Sequence, residues 1–235
     1  MSAPATDRMH RRGVPPALSA HRVTAGRDVR GAPAGTYARV AIALLCGALL
    51  GTLYLTVALR RQVNPISGMV SDYVYHPAGA PLFVLAVLLM LLGGLLLTAA
   101  MNNLGILGGQ AVRVLFGLWF AGLLIVAVFP ADRTRTDITL SGELHRLGAA
   151  VVLSCLPLAC WKLARALRGN PRWTAFSGRV CHFSALSLLA AVAFGVSHLH
   201  PTLPQGLLER VALGTDVALL AVLALSIAAV ERQTR

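Results

Sequence analysis

Six apolar blocks recur along the chain, each of roughly 19 to 25 residues, long enough for an α-helix to cross about 30 Å of hydrocarbon. They lie at about 37–59, 81–101, 111–129, 144–167, 180–200 and 206–230. Local chemistry sets several ends. Pro81 suits a first helical turn, where its missing N–H has no partner to lose. Pro130 biases Phe129 out of the helical region and stops the third block. Gly47 and Gly51 stand four apart on the first block, and Ser187, Ala191 and Gly195 form a stripe of small side chains on the fifth. Both patterns predict close helix–helix approach. The predicted fold is all-α, an integral membrane bundle of six transmembrane helices spanning 37–230. A tail (1–36) precedes it and a short polar segment (231–235) follows.

Polar residues concentrate between and at the ends of these blocks. The densest stretch is 64–81, NPISGMVSDYVYHPAGAP, which holds Ser71, Asp72, Tyr73, Tyr75 and His76 within six positions. A second is 130–143, PADRTRTDITLSGE, followed at once by His145 and Arg146. The fifth block ends in His198 and His200, and the sixth opens with Glu209 and Arg210. In a six-span chain all four segments fall on the same side, forming a polar rim.

Composition agrees with a bilayer as solvent. The chain is 56% apolar and only 13% charged, against about 25% charged in soluble domains. The net charge of +12 raises nucleic acid as a partner, but no basic face with aromatic or polar readers is present, which excludes that class. The basic residues instead sort by side. Seven Lys/Arg up to Arg39, then Arg113, five from Lys162 to Arg179, and Arg232 with Arg235 lie on the side of the termini. Arg60, Arg61, Arg133, Arg135, Arg146 and Arg210 lie opposite. That asymmetry predicts N-in, C-in by the positive-inside rule, with the rim facing outward.

The tail is rich in Pro, Ala, Gly, Ser and Arg and is expected to be disordered. Arg11 and Arg12 are followed by Gly13-Val14-Pro15-Pro16 rather than an apolar run, which argues against a cleaved signal. Cys46, Cys155, Cys160 and Cys181 fall in or beside apolar blocks and read as small buried hydrophobes, with no CxxC pair.

The candidate polar pocket comprises Ser67, Ser71, Asp132, His145, Arg146, Glu209, Arg210 and Asp216. Asp216 lies seven residues beyond Glu209, nearly the same helix face and about 10 Å deeper, so it is expected to point into a cavity below the rim. An ionisable group at that depth needs a partner or water, and Arg210 or Arg146 is the expected partner. A zinc centre would draw on His145, His198 and Asp132, with His76, His200, Asp72 or Glu209 as further donors, and would activate a bound water for hydrolysis. No two histidines have the i, i+4 spacing that places ligands on one helical face, so no cofactor is assigned. Ser71 lacks a surrounding GxSxG, against a serine hydrolase. A proton- or ion-coupled transporter using Asp216 is a further alternative, against which stands the lack of an internal repeat.

The run NPISGMVSDY before a helix beginning PLF, FPAD closing the third block, SGELHRLGA opening the fourth and GLLER opening the sixth together resemble the multi-pass family catalogued as domain of unknown function 998. The resemblance covers about 39–230. It implies a six-helix fold in the cytoplasmic membrane of a bacterium or archaeon, with recurrent polar motifs at one face, and it supplies no reaction. Position by position it implies roles for Pro65, Ser67, Ser71, Pro130, Asp132, Gly142, His145, Glu209 and Arg210. A remoter similarity links the rim to membrane hydrolases of the alkaline ceramidase type, but His198-x-His200 is too closely spaced for their paired-histidine motif. The expected function is therefore a membrane protein whose pocket binds a lipid headgroup, small ligand or partner, with a metal-dependent membrane hydrolase as the alternative.

Overall fold

A computed structural model describes residues 33–134, 138–200 and 202–232. The predicted disorder of the tail falls almost wholly outside these residues, as do Asp137 and the last three positions. The described chain is helical throughout: α1 (Ala34–Ala58), α2 (Gly79–Asn103), α3 (Gln110–Val128), α4 (Leu140–Leu167), α5 (Thr174–Ser197) and α6 (Gln205–Arg232), with short 3-10 turns at Val70–Tyr75 and Pro171–Trp173. All six α-helices are long and apolar enough to cross a membrane. The protein is a multi-pass membrane protein.

Two helices begin earlier than hydropathy alone predicts. α4 starts at Leu140 because the Thr139 hydroxyl accepts the Gly142 N–H at 3.0 Å and caps the first turn, a contact worth about 1 kcal/mol. α5 starts at Thr174 because its first turns are amphipathic. They bury Phe176 and Ser177 and leave Arg179 exposed, so the average polarity hides a helix that packs.

Consecutive helices are neighbours and α6 closes the ring onto α1. α2 and α3 touch least among the sequential pairs, while α4 and α6 are the most deeply buried. The main core runs through Trp119, Leu156, Leu163, Leu219, Leu220 and Leu223. Gly122 of α3 and Gly148 of α4 meet face to face, where a side chain on either would strike the other's backbone. Gly47 and Gly51 lie against Leu89 and Ala86 of α2, the close packing their spacing predicts.

The small-residue stripe of α5 behaves differently along its length. Ser187 is packed and bonded to α6, whereas Gly195 faces open space. Cys155, Cys160 and Cys181 are buried as expected, but Cys46 is exposed on α1. The Gly35 N–H donates to the Glu231 carboxylate, which ties the start of α1 to the end of α6. The described residues of the segments 59–78, 129–134, 138–139, 198–200 and 202–204 therefore share the opposite end, and they carry the polar groups. At the near end, Gly105 and Gly108 adopt positive φ (66° and 80°) in the α2–α3 turn, a region open to glycine at little cost.

Candidate functional site

The α1–α2 loop is anchored to α6 by the two charged residues of its first turns. Arg210 Nη1 donates to the carbonyls of Pro65 (3.0 Å), Gly68 (2.8 Å) and Gly206 (2.8 Å), and Nη2 donates to Tyr73 Oη at 2.6 Å. The fork of a guanidinium is suited to several acceptors at once. The Tyr73 hydroxyl in turn donates to Thr56 Oγ1 at 3.1 Å, and its ring is fully buried. Glu209 Oε2 accepts the Val70 N–H at 2.5 Å, and Glu209 also accepts from the Ser71 backbone. The Leu207 N–H donates to Ile66 O at 3.0 Å. Gly206 leaves room for this contact, since a Cβ there would collide with Gly68 O. Glu209 and Arg210 thus hold Ser67, Ser71 and Asp72 in place from behind. Asp72 helps by accepting the Met69 N–H at 2.8 Å.

The α3–α4 loop forms a second group. Asp132 Oδ1 accepts from Thr139 Oγ1 at 2.5 Å and from Thr139 N–H at 3.3 Å. Arg146 Nη1 stands 3.0 Å from Asp132 Oδ2 as an ion pair, and Arg146 Nη2 donates to Glu143 Oε1 at 2.6 Å. The Asp132 side chain is 2% exposed and that of Arg146 46%, so the pair marks a boundary with water. The Thr139 hydrogen bond chiefly, with Arg146 adding to it, holds the Asp132 carboxyl below its ordinary value of 3.8, against the opposing effect of burial. Gly142 matters here for lack of a side chain, because a Cβ would overlap the Asp132 carboxylate.

His145 is buried (6% exposed), and its Nδ1 lies 2.8 Å from Phe129 O. A carbonyl can only accept, so Nδ1 carries a proton, and in the neutral ring Nε2 is then an acceptor. The two groups are joined directly. The Tyr75 hydroxyl donates to Ala131 O, and the Arg133 guanidinium sits 5.4 Å over the Tyr75 ring.

Between these groups lies a cavity of about 1010 Å³ lined by all six helices, at the upper end of small-molecule sites. Its mouth carries Ser67, Ser71, Asp132, His145, Arg146, Glu209, Arg210 and His198. Its body is apolar, with Phe83, Met90, Leu123, Leu153, Leu213 and Val217 from four helices. A smaller polar pocket of about 430 Å³ adjoins it.

Asp216 does not border the cavity. Its face of α6 turns, one and two turns below Glu209, through Ala212 toward α5. There Asp216 is fully buried, and its Oδ1 accepts from the Ser187 hydroxyl while Cys160 of α4 lies within electrostatic reach. Neither Arg210 nor Arg146 is its partner. Nor do the zinc candidates gather: among the described residues no three His, Cys, Asp or Glu side chains are grouped to hold a metal ion. His198 is exposed, its ring edge-on to Phe194 at 4.8 Å between centroids.

The sequence assigns no site role to Tyr73, which knits the first group, or to Thr139, which knits the second. Thr139 had a signal, an N-cap residue ahead of an apolar run. Tyr73 had none, since its partner Arg210 is 137 residues away.

No curated protein and no solved structure matches the chain. A family model described as "Protein of unknown function (DUF998)" matches residues 40–226, which take in both loops, the cavity and the clamp on α6. The chain belongs to the DUF998 family.

Proposed function

We propose that the protein binds an amphiphile taken from the membrane, its apolar chain lying in the cavity and its polar end meeting Ser71, Asp132, His145 and Arg146. The observation that carries the reading is the division of one cavity into an apolar body and a polar mouth. A fully polar small molecule would leave the body unsatisfied, and a pure hydrocarbon would leave the mouth's charges dry. The lining also reaches the flank of the bundle: Leu49, Leu53 and Val192 belong to it and are 49%, 55% and 60% exposed. At the depth of the apolar blocks such a flank meets lipid, so a chain can enter sideways without crossing water.

On this reading the mouth faces outward and both termini are cytoplasmic, in keeping with the concentration of Arg and Lys on the side of the termini. Glu209 and Arg210 serve the site from behind by holding the α1–α2 loop. Asp132 and Arg146 present a fixed charge pair, and His145 offers an acceptor to a ligand hydroxyl or N–H.

The test is solvent extraction and mass spectrometry of protein purified into nanodiscs of a single synthetic lipid. The parent is expected to retain a non-scaffold amphiphile near one per protein, and Gly214→Phe, which fills open space in the cavity wall, to retain none. Equal amounts in both would contradict the reading.

A further inference from the structure

The smaller polar pocket shares Ser67, Asp72 and Arg133 with the mouth of the apolar cavity. Its remaining wall includes Gln62, Asn64, Tyr75 and His76. From the shared wall and the chemistry of these seven residues, we infer that the pocket receives a neutral polyhydroxylated headgroup, such as a sugar or glycerol, on the amphiphile whose chain fills the cavity. This rests on the amphiphile reading above and names the class of ligand.

Charge comes first. The pocket has one carboxylate, Asp72, one guanidinium, Arg133, and one imidazole, His76; with His76 neutral the two opposite charges cancel. The guanidinium is already engaged over the Tyr75 ring. A phosphate or sulfate headgroup calls for a surplus of cations, commonly a bidentate arginine. A cationic headgroup calls for a surplus of carboxylates or an aromatic cage. Neither is built here.

Hydrogen bonding narrows the class further. Asn64 uses its carbonyl oxygen on the Ile66 N–H at 2.9 Å, so what it can offer a ligand is its NH2. The Tyr75 hydroxyl donates its proton to Ala131 O, so its oxygen can only accept. Asp72 accepts, Arg133 donates, and Gln62 and Ser67 do both. A wall of mixed donors and acceptors fits groups that are themselves both, which hydroxyls are and phosphate oxygens are not. The loop that carries most of this wall is fixed by the Arg210 and Glu209 bonds, so the pocket is formed before a ligand arrives.

The experiment uses the full chain in nanodiscs loaded with a fluorescent anthroyloxy fatty acid, displaced by compounds of one chain length: dodecyl glucoside, dodecyl phosphate and dodecanol. Dodecyl glucoside should displace the probe at about tenfold lower concentration than dodecanol, the worth of one or two net hydrogen bonds. Dodecyl phosphate should show no such gain. Asn64→Ala and Asp72→Asn should each bring the glucoside back toward the alcohol. A preference for the phosphate, or equal displacement by all three, would overturn the headgroup inference while leaving chain binding intact. No saturable probe binding would remove the chain reading and this inference together. A thermal midpoint for each variant within a few degrees of the parent separates loss of headgroup contacts from loss of fold.

Discussion

Arg210 at the start of α6 grips Gly68 in the loop between α1 and α2, its Nη1 donating to the Gly68 carbonyl at 2.8 Å. The same guanidinium reaches Pro65, Gly206 and Tyr73, so one side chain locks the segment that carries Ser67, Ser71 and Asp72. Cutting that grip should free the segment. Arg210→Ala is expected to cost about 2–4 kcal/mol, since bonds to a charged donor and a half-buried set of carbonyls are lost together. Arg210→Lys should recover only part, because an ammonium cannot reproduce the fork. Thermal midpoints in detergent check the order: parent, then Lys, then Ala.

Gly206 and Gly142 carry a sharper steric claim. Adding a methyl at either strikes a fixed partner, Gly68 O or the Asp132 carboxylate, whereas Gly195 and Gly214 face open space. Gly206→Ala and Gly142→Ala should each destabilise by about 1–3 kcal/mol through overpacking, while Gly195→Ala should be neutral or slightly stabilising through helix propensity. Melting all three variants side by side tests the assignment of which glycines are close approaches.

Asp132 gives a pH dependence of definite sign. Its folded value lies below the ordinary 3.8 because the Thr139 hydroxyl and Arg146 favour the carboxylate. A depressed carboxylate adds stability at pH above its unfolded value and loses it as the pH falls through the folded one. The anchor of the α3–α4 loop is therefore intact at neutral pH and releases only in acid, below about pH 4. Asp132→Asn should lower the neutral-pH midpoint and flatten its acid-side fall relative to the parent. An unchanged acid slope would show that Asp132 gains nothing from the loop.

Asp216 is expected to act as a clasp between α5 and α6. Asp216→Asn keeps an acceptor for Ser187, while Asp216→Ala strips the hydroxyl of its partner on α6 and leaves a void, at a cost of about 2 kcal/mol or more. The ordering Asn above Ala in thermal midpoint is the check. Asn as damaging as Ala would mean that the charge, not the hydrogen bond, is what α5 and α6 share.

Hydropathy made the six helices legible, because a bilayer demands long apolar runs and tolerates few interruptions. It also located the polar residues at one end of the bundle, since four segments alternate in register with the spans. What it missed is lateral. The roles of Glu209 and Arg210 depend on which backbone groups of a distant loop face them, and composition cannot report that. Asp216 shows the same limit: the seven-residue spacing from Glu209 correctly describes one helix face, yet that face passes from the mouth to the α5 interface as neighbouring helices change. Thr139 and Gly142 were readable as an N-cap and a small residue, but only the fold shows both wrapped around Asp132.

On the proposed reading the cavity holds an apolar chain beneath a polar mouth. The most direct measurement is an equilibrium titration of the nanodisc-embedded protein with the anthroyloxy fatty acid, in the parent and in Gly214→Phe. Saturable binding near one probe per protein is expected in the parent and at least about a tenfold loss in the variant, the scale of losing a buried apolar contact of about 1.4 kcal/mol or more. Identical isotherms for the two proteins would contradict it.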